Sequence, residues 1–289
     1  MIHESSEKFT AFPGVSEQIY SRKDFEAIRA MIYSQAGIVL PPGKSTLVYS
    51  RIAPLVRESN AGTFGAYIQR IQNDPVEARK AVCALTTNHT FFWREPHHFE
   101  YFREQVRPAL VQKLARGEPV RIWSAGSSSG EEVYSLIMTL LGTDTREARM
   151  IMDADLAILA SDLADHALAK AKGAQYDAEA VEPLPKDLRA KWVKVNGGVA
   201  TIVPEAANLV RFRTLNLLGQ WPIKRQFDVI FCRNVMIYFD QPTRERLIAR
   251  FADQLVSRGY LFIGHSERVS GPAEAHLDLV NLTTYRKTS

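Results

Sequence analysis

Val120-Arg-Ile-Trp-Ser-Ala-Gly-Ser-Ser-Ser-Gly130, followed directly by Glu131-Glu132, is the stretch on which the fold turns. Val120 to Ala125 is a short apolar run with the look of a buried strand, and Gly126 to Gly130 is a loop of small residues. Glu131 then opens an apolar helix through Leu136, Ile137, Leu140 and Leu141. Strand, small-residue loop and helix in that order make the first half of a β-α-β unit, whose loop lets a ligand approach the backbone and the free N–H groups of the helix start. No Gly-Lys-Ser/Thr follows, which excludes a P-loop. Glu131 and Glu132 suit the helix dipole, but they would also repel a pyrophosphate and favour a cationic ligand.

Outward from this stretch the same grammar repeats. Leu156 to Ala160, ending in Ser161-Asp162, reads as a second strand, Leu209 to Leu217 as a third, Phe227 to Cys232 as a fourth and Tyr260 to Ile263 as a fifth. Helical stretches such as Asp165 to Lys172 and Pro242 to Leu255 lie between them. This alternation predicts an α/β, doubly wound, mostly parallel sheet. Trp192 to Val203 interrupts it and reads as a hairpin turning at Asn196-Gly197-Gly198, hence an inserted antiparallel β-subdomain, set at about 188–214. Residues 22 to about 115 read as helices: Phe25, Ile28, Met31 and Ile32 share one face, Thr63 caps a helix bearing Phe64, Tyr67, Ile68 and Ile71, and Asp74-Pro75 opens another. Pro54 is expected to break or kink the helix through Leu47, Val48, Ile52 and Leu55. The predicted organisation is a small N-terminal all-helical domain, 16–88, and an α/β domain, 89–289.

Composition excludes several classes. Of 289 residues 46% are hydrophobic and 24% charged, with a net charge of +4, the profile of a folded globular chain and not a disordered one. The longest uncharged apolar run, Val133 to Leu141, is half of what a membrane span needs. Glu4, Glu7 and Glu17 in the first twenty residues argue against a signal peptide. The two cysteines, Cys83 and Cys232, have no CxxC spacing, so a disulfide framework and a cysteine zinc site are not expected and a cytoplasmic location is. From Ala27 to Arg57 there is no acidic residue, while Arg29, Lys44, Arg51 and Arg57 occur, which leaves open a solvated helix face or a docking surface for an acidic partner.

Ligands of an open parallel sheet bind beyond the carboxyl ends of its strands. Asp162 is there the expected acceptor for ribose hydroxyls, Asn216-Leu217 follow the third strand, and Arg233-Asn234, with Tyr238, follow the fourth. With Gly126 and Glu132 they describe a pocket for a positively charged nucleoside, which S-adenosylmethionine satisfies. The polar segment Thr86 to His98 holds three histidines but no HExxH spacing, so no metal is expected; Asn88, Thr90 and Arg94 are expected to face the pocket instead.

Asn-His-Thr-Phe-Phe-Trp-Arg-Glu-Pro-His-His-Phe (88–99), Trp-Ser-Ala-Gly-Ser-Ser-Ser-Gly-Glu-Glu (123–132), Phe-Cys-Arg-Asn-Val-Met-Ile-Tyr-Phe (231–239) and Gly-His-Ser-Glu (264–267) together resemble the CheR family of chemoreceptor methyltransferases, in the right order from about Phe25 to Tyr285. The resemblance implies a sheet of the S-adenosylmethionine-dependent methyltransferase type, methylation of glutamate side chains on the cytoplasmic helices of chemotaxis receptors, and S-adenosylhomocysteine as product. Its cofactor residues carry over onto Asn88, Thr90, Arg94, Glu132, Asp162, Asn216, Leu217, Arg233 and Asn234, with Arg94 and Tyr238 nearest the methyl group. The basic helix implies receptor docking through Lys44, Arg51 and Arg57. Trp93 precedes Arg94 where the family usually has Phe-Phe-Arg, and the tight turn at Asn196 to Gly198 stands where members that tether to a receptor pentapeptide tend to carry a longer loop. A monomer that neither binds nucleic acid nor enters the membrane is expected. Rival readings are a methyltransferase of nucleic acid or of another protein, and a non-catalytic S-adenosylmethionine-binding adaptor. Asn234-Val-Met-Ile-Tyr238 lacks the two prolines that base-flipping amino-methyltransferases place after the fourth strand.

Overall fold

The computed structural model describes residues 14–288. Glu4 and Glu7, on which the expectation about a signal peptide partly rests, lie outside the described residues. No described helix is long and apolar enough to cross a membrane. Two compact units emerge. One runs up to Thr87 and takes in Tyr238–Asp240; the other holds Asn88–Ile237 and the chain from Gln241 onward.

The first unit is helical: α1 (Arg22–Ala36), α2 (Ser45–Glu58), α3 (Phe64–Asn73) and α4 (Pro75–Leu85). Ser21 and Asp24 close a capping box at the start of α1, and Gly37, in the left-handed conformation, ends it. Thr63 and Asp74 cap α3 and α4 through their side chains. Against expectation, α2 continues unbroken past Pro54. Its buried Val48, Ile52, Ala53 and Val56 anchor both sides of the proline, and packing outweighs the missing N–H.

The second unit begins with α5 (Pro96–Tyr101), joined by the π-turn Phe102–Val106 to α6 (Arg107–Ala115). Then come β1 (Val120–Ala125), α7 (Glu131–Leu141), α8 (Thr145–Asp153), β2 (Leu156–Asp162), α9 (Asp165–Gly173), β3 (Gln175–Asp177), α10 (Lys186–Trp192), β4 (Val193–Asn196), β5 (Val199–Ile202), α11 (Pro204–Ala207) and β6 (Val210–Thr214). β7 (Phe227–Cys232), α12 (Gln241–Gln254), β8 (Leu255–Ile263), β9 (Leu277–Asn281) and β10 (Thr284–Lys287) complete it. Seven strands form one sheet in the order β6-β2-β1-β7-β8-β10-β9. The first five pair in parallel, and β10 runs antiparallel to both neighbours. Strand order reverses between β1 and β7, so the topological switch point lies there. Every residue of α7 except Glu132 is buried, which is why that helix reads as apolar almost all round.

A second sheet, β3-β5-β4, stands apart, with the β4–β5 hairpin turning at Gly197 and Gly198. Its extent corrects the expected 188–214: it begins at Gln175, and Val210–Thr214 belongs to the large sheet beside β2. Three residues of β3 are too few to show a periodicity. The antiparallel β9–β10 pair was likewise not legible, because Leu279 and Leu282 stand exposed and break the apolar alternation.

Candidate active site

Three turns at the switch point build the site. The loop after β1 leaves the sheet through Gly126, with φ +81°, where an added Cβ would sit 2.4 Å from Val235 Cγ2. The Gly126 and Ser127 N–H groups both donate to the Ser161 carbonyl, at 2.7 and 2.9 Å, pinning the loop to the end of β2. Asp162 completes that pin: one carboxylate oxygen accepts the Ser128 N–H at 2.8 Å and the other the Ala164 N–H at 2.9 Å. Burial pushes its pKa up while these N–H groups oppose the shift. A third backbone N–H, that of Leu163, also acts on this carboxylate. The Leu215 N–H donates to the Asp162 carbonyl at 2.9 Å, drawing Asn216 and the buried Leu217 to the same end. Ser128 Oγ donates to the Asn88 carbonyl at 2.8 Å, which brings the 88–95 segment over the loop.

The two adjacent acids at the start of α7 part company. Glu131 accepts from the Ser129 hydroxyl, at 2.7 Å to its nearer oxygen. Glu132 turns the other way, accepting from Ser124 Oγ at 2.7 Å and pairing with Arg233 Nη1 at 3.3 Å. Burial raises the Glu132 pKa, against the Arg233 charge. Arg233, its side chain 1% exposed, also pairs with Glu95 at 3.1 Å, donates to the Arg94 carbonyl and lies over the Phe99 ring. Both its terminal nitrogens are thus engaged within the protein, while Nε is buried without a hydrogen-bond partner.

Glu95 is the residue that sequence reasoning quoted but gave no role. Besides Arg233, its carboxylate meets Asn234 Nδ2 at 3.2 Å and His265 Nδ1 at 2.9 Å. Burial would push its carboxyl up, but the Arg233 charge and the hydrogen bonds from His265 and Asn234 outweigh that and bring its pKa to about 2. Glu267 works on the backbone beside it, accepting from the Gly264, Asn234 and Met236 N–H groups at 2.6, 3.2 and 2.7 Å. The signal for both was there: an acid inside each of two motif segments otherwise rich in aromatic and small residues.

Of the expected site residues, Glu132, Arg94, Arg233 and Asn234 come together around Glu95. Asp162, Gly126, Asn88, Asn216 and Leu217 come together around the β2 end. Arg94 is half-buried, its guanidinium donating to the His89 carbonyl at 3.0 Å and facing the Phe91 ring. Thr90 is half-buried as well. Trp93 is core: its ring stacks on Phe99 with centroids 4.8 Å apart, and its N–H donates to Ser135 Oγ. Tyr238 belongs to the helical unit, where its carbonyl accepts the Val39 N–H at 2.8 Å. Lys44 and Arg57 are exposed. Arg51 is half-buried, and its Nη1 caps α4, donating to the Leu85 and Thr86 carbonyls at 2.9 Å each.

Among the described residues, Glu95, His97 and His98 bring candidate metal-ligand atoms within 4.8 Å of one another. Glu95 Oε2, His97 Nε2 and His98 Nδ1 there are buried without a hydrogen-bond partner, and the Arg233 guanidinium beside them would repel a cation. Ser127 Oγ is buried in the loop after β1 without a hydrogen-bond partner, an orphaned group of the kind a ligand satisfies.

A doubly wound sheet with a small-residue loop after its first strand, an acid ending its second and carboxylates in place of phosphate-binding cations defines an S-adenosylmethionine-dependent methyltransferase. Residues 88–286 match the CheR methyltransferase SAM-binding domain, and residues 23–86 match the CheR methyltransferase all-alpha domain. The chain belongs to the CheR methyltransferase family. It is 44% identical to a probable chemotaxis protein methyltransferase of Rhizobium etli, over 90% of this chain and 97% of the relative. To chemotaxis protein methyltransferase 2 of Pseudomonas aeruginosa it is 40% identical, over 88% and 89%. To the chemotaxis protein methyltransferase of Escherichia coli it is 38% identical, over 85% and 84%.

Proposed function

We propose that this chain transfers the methyl group of S-adenosylmethionine to glutamate side-chain carboxylates on the cytoplasmic helices of chemotaxis receptors, giving glutamate methyl esters and S-adenosylhomocysteine. The observation that carries the reading is the set of carboxylates, Glu132 and Asp162, at the carboxyl ends of β1 and β2 in a family of chemotaxis methyltransferases. When bound, S-adenosylmethionine supplies an activated methyl on a sulfonium centre. Asp162 accepts from the ribose hydroxyls, Glu132 faces the cationic end, and Asn88, Thr90, Asn216, Leu217 and Asn234 complete the cofactor pocket. Arg233 holds Glu132 in place.

A glutamate is ionised at neutral pH, its unperturbed pKa being about 4.3, so the step needs no general base. As the bond forms, the charges of nucleophile and sulfonium cancel, and strong stabilisation of both would slow the reaction. The residues therefore position and exclude water: Arg94 and Tyr238 orient the incoming carboxylate. Alignment of this kind is worth up to roughly 7–11 kcal/mol in the best cases. No step calls on a metal. The enzyme works in the cytoplasm as a monomer and recognises the acidic receptor bundle through Lys44 and Arg57, with Arg51 contributing the part of its guanidinium not engaged on α4. The two-residue turn of the β4–β5 hairpin leaves little loop to hold a receptor tail, so methylation proceeds without a pentapeptide tether.

Transfer of labelled methyl from S-adenosylmethionine to receptor-bearing membranes, followed by mild alkali, tests this. Label that enters the receptor band and leaves as volatile methanol marks a carboxyl methyl ester. Alkali-stable label points to N-methylation and overturns the glutamate assignment. Tight, saturable binding of a receptor-tail pentapeptide would overturn tether independence.

A further inference from the structure

Glu95 sits in a strained stretch of chain. Its φ is +59° and that of Trp93 is +60°, with Asn234, across from it, at +59°. For a side chain larger than asparagine the left-handed region costs on the order of 1–2 kcal/mol, so something holds Glu95 there. What holds it is its own carboxylate. One oxygen faces Arg233 Nη2 at 3.1 Å, and the other accepts from Asn234 Nδ2, with His265 Nδ1 beside it. A single acid thus joins the segment after Arg94 to the end of β7 and the turn after β8. The Arg233 guanidinium it holds returns to the Arg94 carbonyl and to Glu132.

We infer that Glu95 is a positioning residue for methyl transfer, aligning Arg94, Asn234 and, through Arg233, Glu132 from three separate elements into one cofactor site. This rests on the function proposed above and adds to it a residue that acts through its neighbours. The chemistry demands a carboxylate. Asn234 donates to one oxygen, with His265 Nδ1 2.9 Å from the same atom, and the Arg233 cation pairs with the other, so an ionised acid answers both a donor and a charge. The neutral amide of glutamine keeps the shape but turns an NH2 toward one of them. It also leaves Glu132 as the sole counter-charge of a buried guanidinium. A purely structural ion pair would tie two elements together and leave the site's geometry to others. Of the three side chains that Glu95 meets beyond its own helix, Arg233 and Asn234 are expected cofactor residues, and the third is His265.

The test is calorimetric titration of S-adenosylhomocysteine into the full chain, for wild type, Glu95→Gln and Glu95→Asp, with Tm measured alongside. Methyl-transfer kinetics on receptor membranes accompany it. Glu95→Gln is expected to weaken S-adenosylhomocysteine about tenfold or more, the effect of one charge-assisted hydrogen bond. It should also lower kcat while KM for the receptor stays put, and Glu95→Asp, which keeps the charge, should recover part of the affinity. A Glu95→Gln protein that binds and turns over like wild type, whatever its Tm, overturns the positioning role and leaves the methyltransferase assignment standing. If Glu95→Gln does not fold, Glu95→Asp decides: wild-type affinity and kcat in that variant, despite its shortened reach, overturn the inference. Wild-type protein that takes up no S-adenosylhomocysteine sinks the proposed function itself.

Discussion

Asp162 and Tyr238 are expected to fail in different ways when replaced. Both Asp162 oxygens hold backbone N–H groups, so Asp162→Ala removes the proposed ribose acceptor together with one anchor of the loop after β1 and one of the turn into α9. Its affinity for S-adenosylhomocysteine should fall by roughly tenfold or more, as read by titration. Tyr238→Phe should lower turnover with little change in that affinity; an unchanged methylation rate would remove Tyr238 from its assigned role. His98 supplies a pH signature. It is fully buried, with Nε2 near the Leu282 carbonyl at 3.1 Å, and burial, aided by the Arg233 charge, lowers its pKa to about 3. The unfolded chain takes up that proton near pH 6.5. The stability His98 contributes is therefore complete above about pH 6.5 and is lost as pH falls toward 3. Urea unfolding across that range should show the advantage of wild type over His98→Asn narrowing as acid is added; an advantage that widened would contradict the burial argument.

At the scale of elements, the turns after β1 and β8 each depend on a close approach of backbone at a glycine. Gly126→Ala meets both a positive φ and Val235 Cγ2 at 2.4 Å. We expect a loss of about 1–3 kcal/mol in unfolding free energy. Val235→Ala in the same chain should restore the steric part and leave the φ part. Gly264 makes the matching approach at the end of β8, where an added Cβ would lie 2.7 Å from the Asn234 N. The α2 helix makes the opposite case, since Pro54 occupies a helix interior and leaves one carbonyl without its N–H. Pro54→Ala is expected to raise Tm, by an amount corresponding to up to about 3 kcal/mol. A lower Tm would mean that the proline ring packs better than its backbone strain suggests.

The whole molecule falls into two compact units. The carboxylate set and the small-residue loop are in one; the acid-free, basic face from Ala27 to Arg57 is in the other, with Tyr238. Lys44→Ala with Arg57→Ala should therefore raise KM for receptor, the more so at low salt, and leave S-adenosylhomocysteine affinity alone. Arg51→Ala should in addition lower the Tm of the helical unit, because Arg51 Nη1 caps α4. Within that unit Tyr33 Oη donates to Asp240 Oδ2 at 2.6 Å, beside the Val39 N–H bond to the Tyr238 carbonyl. Tyr238–Asp240 is thus fastened at both ends, to α1 through Tyr33 and to the chain just after α1 through Val39.

Local chemistry made most of this legible in the residues themselves. Val120 to Gly130 is a strand and a small-residue loop whatever surrounds it, and the alternation of strands and helices leaves few topologies open. Asp162, at the end of β2, and Asn234, after β7, stand at strand ends, where a parallel sheet binds its ligand. What the residues could not decide was direction and partnership. Glu131 and Glu132 are neighbours in sequence, and only packing turned one to Ser129 and the other to Arg233. The residues also did not show that Arg233 pairs with two carboxylates, or that Arg51 Nη1 reaches the end of α4. Glu95 had no meaning until β7 and β8 arrived from more than a hundred residues away. Period and propensity are local properties of the chain, whereas the partner of a buried charge is set by tertiary contacts, and those decided which acids and bases of this protein face the site and which hold it together.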